Sequence, residues 1–297
     1  MVTELLPRAV VTIDSVQEVV SQIIAEVKDQ SIAALTSHAE KFDGLVNIDF
    51  RVPKTELVDA LQEMDPDLRA AIEVAISRVR KVSEATVPTE LTVELDYGAQ
   101  VTQKFVPVDS VGLYVPGGKA VYPSSVVMNV VPAQVAKVPR IAVTSPAQKD
   151  GLPSRSVLAT CELLGIDEVY AMGGATAVAA FAYGIPEIDL EPVAMVTGPG
   201  NIFVAAAKRQ LRGVIGIDSE AGPTEILIIA DQTANPEFVA ADLISQAEHD
   251  PNAAAVLVTN SPALIVAVEQ ALDKQIPLAA NHSRISQALA GVQSALV

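Results

Sequence analysis

The segment 242–250, DLISQAEHD, sets Gln246 and His249 three residues apart in a chain with only three histidines. On a helix, residues i and i+3 stand side by side, so an amide oxygen and an imidazole nitrogen can converge on one cation. Imidazole is a common zinc ligand, which makes the pair a candidate for metal binding. The ordinary alternative is a solvated or locally hydrogen-bonded Gln-x-x-His pair, with Glu248 and Asp250 as supporting or surface groups.

Two glycine-containing loops carry a second chemistry. Pro116-Gly117-Gly118 follows the apolar run VGLYV, and Gly198-Pro199-Gly200-Asn201 precedes a helix that begins near Ile202. Glycine lets a backbone turn tightly and approach a ligand, and a helix N-terminus offers unpaired N–H groups to an anion. Either loop can cradle a phosphate or be a plain turn. G-x-G-x-x-G is absent after every strand, so nucleotide binding here needs chemistry other than the usual fingerprint. Thr224, in Gly222-Pro223-Thr224-Glu225, offers a hydroxyl to a substrate or caps a local element. Cys161, the only cysteine, reads as a small core residue, with a thiol nucleophile as the alternative. His38, in TSHAEK at a helix end, and His282, in a polar turn, read as structural.

The elements that must position these groups follow from periodicity. Residues 15–42 read as one helix with Val16, Val19, Val20, Ile23, Ile24 and Val27 on a stripe, capped by Asp14 or Ser15. A second helix starts at Asp65-Pro66 and runs to about Ser83, turning Leu68, Ile72, Ala75, Ile76 and Val79 inward. Alternation at 91–95 and 101–106, around the turn 96–99, predicts a half-buried strand pair. From Val111 the runs VGLYV, IAVTS, EVYAM and MVTG alternate with Ala-rich helical stretches, including 175–183. Then EILIIAD, a helix over 236–249 and AAVLVT repeat the pattern. Short strands alternating with helices predict an α/β fold: two Rossmann-like units with mostly parallel sheets covered on both faces, plus an N-terminal helical layer. The expected divisions are 1–106 for the helical layer and hairpin, 107–223 for the first Rossmann-like domain and 224–297 for the second.

Composition narrows the function. The 297 residues are 50% hydrophobic, enough for two cores. One cysteine rules out an intrachain disulfide and a C-x-x-C site. Twenty Lys and Arg against 36 Asp and Glu give a net charge of −16, which opposes nucleic acid and anionic membranes as partners. No apolar run is long enough to span a bilayer, and the first residues do not read as a secretory signal, so a soluble, cytoplasmic protein is expected.

Taken together, 111–129 (VGLYVPGGKAVYPSSVVMN), 195–208 (MVTGPGNIFVAAAK), 217–231 (IDSEAGPTEILIIAD) and SQAEHD, with FDG at 42–44, resemble histidinol dehydrogenase. The likeness runs in family order through about Ala288. It implies zinc- and NAD-dependent oxidation of L-histidinol to L-histidine through histidinal, in a homodimer. It places NAD contacts at Tyr114, Thr176 and Asn201, substrate contacts at Thr224, Gln246 and His249, and zinc ligation at Gln246 and His249. The chain departs from the pattern at Thr176, in GGATA where the family has GGAQA. A hydroxyl there lacks the reach of an amide.

The same likeness puts the family's Glu-His proton acceptors and remaining zinc ligands beyond Val297, so no catalytic residue is assigned within 1–297. GVQSALV reads as a strand that stops as it begins, and this chain alone is expected to be inactive. Two other functions stay open: a noncatalytic nucleotide-binding or dimerisation module, and an aldehyde dehydrogenase using Cys161.

Overall fold

The computed structural model describes residues 13–117, 121–220 and 225–297. Val16–Glu220 forms one compact unit, and most of the remaining described residues, within Ala221–Val297, form another. Thr224 lies outside the described residues.

The first unit opens with α1 (Gln17–Gln30) and α2 (Ile32–His38), followed by a π-helical turn over Ala39–Asp43. The single helix expected over 15–42 is therefore broken at Ser31, whose φ of 51° cannot continue a right-handed helix. Its start lies at Val16, without a side-chain cap bond. Next come α3 (Lys54–Glu63), which the apolar pattern did not mark, and α4 (Pro66–Thr86). Asp65 caps α4 by accepting from the N–H groups of Asp67 (3.0 Å) and Leu68 (2.9 Å), with proline in the first turn where no N–H is missed.

Strands β1 (Leu91–Glu94) and β2 (Gln100–Gln103) pair antiparallel as expected, but every residue of both is exposed. Alternation marks a strand with two unlike faces. It does not create the layer that would bury one of them, and among the described residues nothing covers Leu91, Val93 or Val101.

The central sheet comprises β3 (Ser110–Tyr114), β4 (Arg140–Ser145), β5 (Val169–Ala171), β6 (Met195–Thr197) and β7 (Gly216–Ile217). It is parallel throughout, in the order β5-β4-β3-β6-β7. The connecting helices are α5 (Pro123–Val135), α6 (Arg155–Leu163), α7 (Gly174–Tyr183) and α8 (Ile202–Leu211). Val111 and Leu113 pack with Val126, Val130 and Leu158 into the core that α3 and α4 also join. Gly112 points to the opposite face, where a Cβ would come within 2.6 Å of the Phe181 ring, so its lack of a side chain lets α7 lie close on β3.

The second unit has β8 (Glu225–Ala230), α9 (Pro236–Ala247), β9 (Ala254–Thr259), α10 (Pro262–Gln275), α11 (His282–Leu289) and β10 (Ala295–Leu296). Its sheet is parallel in the order β10-β9-β8. Val239, Leu243, Leu264 and Val268 of α9 and α10 fill its core with Leu257. The other side of β8 departs from the expectation of two covered faces, because Leu227 and Ile229 are 53% and 79% exposed.

Candidate functional site

The order of the central sheet reverses beside β3: successive strands run outward through β4 and β5 on one side, and through β6 and β7 on the other. In open parallel sheets the crevice at the strands' carboxyl ends, at such a reversal, is where ligands bind. Pro116-Gly117 follows β3 and Gly198-Pro199-Gly200 follows β6, so both loops open onto this crevice. A cavity of about 350 Å³ lies there, lined by Tyr114, Gly117, Gly173, Gly174, Thr176 and Asn201. Its apolar wall comes from the N-terminal helices, through Ile23, Leu35 and Phe42. Tyr114, Thr176 and Asn201, far apart in sequence, thus share one pocket.

Each is held differently. Tyr114 is buried, and its hydroxyl accepts from the Gly174 N–H at 3.1 Å. Burial first, and then the nearby Asp43 charge, push its phenol up to about 12, so at neutral pH it is a neutral donor and acceptor. Asn201 caps α8, its Oδ1 accepting from Phe203 N–H (3.0 Å) and Val204 N–H (3.1 Å). The carbonyl end is committed, and the amide nitrogen is the end left to donate. Thr176 lies in the first turn of α7, a helix whose N-cap is Gly173 and carries no side-chain cap bond. With the Gly174 N–H taken by Tyr114, the first-turn N–H groups of Ala175 and Thr176 are the ones a ligand could use.

Two residues that the sequence marked as structural or only as part of a motif join them. His38 is 4% exposed, lines the cavity, and sits 3.0 Å from Thr176 Oγ1 through Nδ1 and 2.7 Å from Glu26 Oε2 through Nε2. Asp43 lines the same cavity, and desolvation raises its carboxyl. No local sequence signal announces the His38–Thr176 contact, since 138 positions separate the two.

The glycine loop after β6 is braced from below. Lys208 is buried and donates to the Gly198 carbonyl and to Asp218 Oδ1 (2.7 Å), while Asp218 Oδ2 accepts from the Gly198 N–H at 2.8 Å. Gly198 has φ 114°, and a Cβ there would fall 2.1 Å from the Tyr114 carbonyl oxygen. The loop after β6 therefore touches the end of β3 backbone to backbone, which places Asn201 across from Tyr114.

Gln246 and His249 belong to the second unit. Helix α9 ends at Ala247, two residues short of the expected bound, with Glu248 still in right-handed helical backbone, so Gln246 lies in its last turn and His249 in the turn that follows. The His249 N–H donates to the Gln246 carbonyl at 3.2 Å, and His249 is exposed. The turn after the helix is tied to the next elements: Glu248 accepts from Asn281 through its carboxylate (2.7 Å) and from Arg284 through its carbonyl (3.1 Å). Asp250 accepts from the Asn252 N–H at 2.8 Å. Among the described residues no three His, Cys, Asp or Glu cluster as a metal site would need. One amide and one imidazole do not by themselves make up a zinc site, which usually takes three or four protein ligands.

Cys161 is fully buried in α6, and burial pushes its thiol up to about 12. A protonated thiol inside the core is a poor nucleophile, which removes the main support for a Cys161-dependent aldehyde dehydrogenase. No helix among the described residues is long and apolar enough to cross a membrane.

Fold and cavity define an α/β protein with mostly parallel sheets and a cavity at a topological switch point. The histidinol dehydrogenase family model matches residues 6–297. The chain is 57% identical to histidinol dehydrogenase of Thermobifida fusca (strain YX) over 294 residues, covering 98% of this chain and 67% of that protein. It is 56% identical to that of Streptomyces avermitilis, covering 99% and 67%. The solved histidinol dehydrogenase from Elizabethkingia anophelis superposes with a TM-score of 0.91 at 33% identity, over 99% of this chain and 67% of that one. The chain belongs to the histidinol dehydrogenase family, oxidoreductases of histidine biosynthesis.

Proposed function

We propose that the switch-point cavity binds NAD and that the protein serves the oxidation of L-histidinol to L-histidine. The observation that carries the reading is the meeting of Tyr114, Thr176 and Asn201 in one cavity at the carboxyl ends of β3 and β6. The residues present fit a dinucleotide. An apolar wall suits a base, the first turn of α7 and the glycine loops suit phosphates, and Asp43 can accept from a ribose hydroxyl. Ser145 Oγ, buried and without a hydrogen-bond partner among the described residues, lies 3.0 Å from where a Gly117 Cβ would stand. That is the polar, side-chain-free surface a ligand's backbone approach requires. When bound, NAD supplies the hydride acceptor.

Gln246 and His249, with Thr224, are this chain's contribution to the substrate and zinc side. Two neutral donors leave a dication short of ligands, so the 297-residue chain binds zinc weakly and does not turn over histidinol unaided. The homodimer and the cytoplasmic location go with the same family likeness. Isothermal titration of NAD is the direct test: binding is expected in the wild type and weakened in Tyr114→Phe. Absence of NAD binding sinks the cofactor assignment. Zinc titration beside the Thermobifida fusca enzyme should show the tighter site only in the latter. Stoichiometric tight zinc, or histidinol oxidation, by the 297-residue chain would refute the second half. NAD binding without turnover even with zinc and histidinol in excess is also what a noncatalytic nucleotide-binding module would give. Turnover by a chain extended to the length of the relatives separates the two.

A further inference from the structure

Glu26, His38 and Thr176 form a continuous chain of hydrogen bonds from the surface to the cavity. Glu26 is 31% exposed at its side chain and His38 4%. Gln22 Nε2 donates to Glu26 Oε1 at 2.8 Å, which turns the other carboxylate oxygen, Oε2, to His38 Nε2 at 2.7 Å. The hydrogen bonds from His38 and then Gln22 hold the Glu26 carboxyl below its ordinary range, so it is ionised at neutral pH and can only accept. Nε2 of His38 therefore carries a proton. In the neutral imidazole Nδ1 is then a bare lone pair, and its partner 3.0 Å away, Thr176 Oγ1, must be the donor. With that form of His38 the Thr176 hydroxyl spends its only proton on Nδ1 and shows the cavity lone pairs alone.

We infer that the Glu26–His38 pair fixes Thr176 as a hydrogen-bond acceptor, so that the pocket selects a ligand presenting a donor beside it, the amino group of an adenine. The inference rests on the NAD reading for the identity of the ligand, and the apolar surface that Ile23, Leu35 and Phe42 give the same cavity is what favours a flat base there. His38 is a positioning residue in this scheme, acting through Thr176.

Two measurements test it. The first needs no ligand: long-range ¹H–¹⁵N correlation spectra of ¹⁵N-histidine protein, with three histidines to assign, should show His38 protonated at Nε2 and bare at Nδ1. A proton on Nδ1 at neutral pH would overturn the inference. The second compares NAD with nicotinamide hypoxanthine dinucleotide, in which a 6-oxo acceptor replaces the 6-amino donor. The wild type should prefer NAD by about tenfold, the scale of one mismatched buried hydrogen bond. Thr176→Val should bring the ratio close to one, Thr176→Ser should keep it, and His38→Phe, which frees the hydroxyl to rotate, should shrink it. A purely structural role would weaken both dinucleotides equally and leave the ratio unchanged, and that result overturns the inference. Adenosine and inosine, titrated in parallel, carry the same exchange without the nicotinamide half. If they discriminate while NAD fails to bind, the NAD reading falls and the relay stands. If none of the four probes binds, the inference falls with it.

Discussion

Replacing Gly198 by alanine should be among the most costly single-methyl additions in the first unit. The φ of 114° is one that L-residues rarely adopt, at about 1–3 kcal/mol. The new Cβ would stand 2.1 Å from the Tyr114 carbonyl oxygen, whereas carbon and oxygen ordinarily meet at about 3.3 Å or more. Relief requires a shift of about 1 Å, and the loop is not free to make it. Its N–H is tied to Asp218 and its carbonyl to buried Lys208, bonds to charged groups at about 1.5–3 kcal/mol each. Lower chain entropy in the unfolded alanine variant returns only about 0.4–1 kcal/mol. If one of the two bonds is lost, the net cost is roughly 2–5 kcal/mol, a large part of a typical domain's stability. Gly213 supplies the control, with φ 111° and no atom of the described residues within 4 Å of an added methyl, so Gly213→Ala isolates the dihedral cost. Urea unfolding followed by far-UV circular dichroism should rank Gly198→Ala well below Gly213→Ala. NAD affinity should fall only in the former, because Asn201 moves with the loop. Equal destabilisation of the two variants would refute the close-approach argument.

Asn201→Asp keeps an acceptor for the Phe203 and Val204 N–H groups, so stability should change by less than about 1 kcal/mol, while NAD binding drops as a carboxylate replaces the amide donor; unchanged affinity would remove Asn201 from the site. Lys208→Met should cost about 1–3 kcal/mol in thermal or urea unfolding by orphaning the Gly198 carbonyl, with Asp218 partly rescued by solvent; a neutral result would mean the brace is idle. Cys161 should resist a thiol reagent such as dithionitrobenzoate in the native protein and react fully once unfolded. Because its folded pKa lies above the ordinary value near 9, at about 12, its contribution to stability is complete below pH 9 and is lost as pH rises towards 12. Cys161→Ala should flatten that alkaline decline, and a native thiol that titrates near 9 would contradict the burial.

The sequence by itself determined the parallel α/β class, because runs such as VGLYV and IAVTS between Ala-rich segments have no other economical way to bury both faces. It also marked Tyr114, Thr176 and Asn201, through blocks whose residue order is local and therefore readable. What it could not decide was which partners those patterns would meet. Alternation at 91–95 marked a strand but not the missing layer that leaves it exposed. The apolar stripe over 15–42 carried no sign that the backbone reverses its hand at Ser31 and starts α2, the turn that brings His38 into the cavity. Three-residue spacing put Gln246 and His249 on one helical face, and the bonds from Asn281 and Arg284 to Glu248 accompany a helix that ends between them. Periodicity reports the character of a surface within a few residues. Hydrogen bonds across a hundred positions, such as Thr176 to His38, exist only once chain packing has chosen the neighbours, and that choice belongs to the tertiary structure.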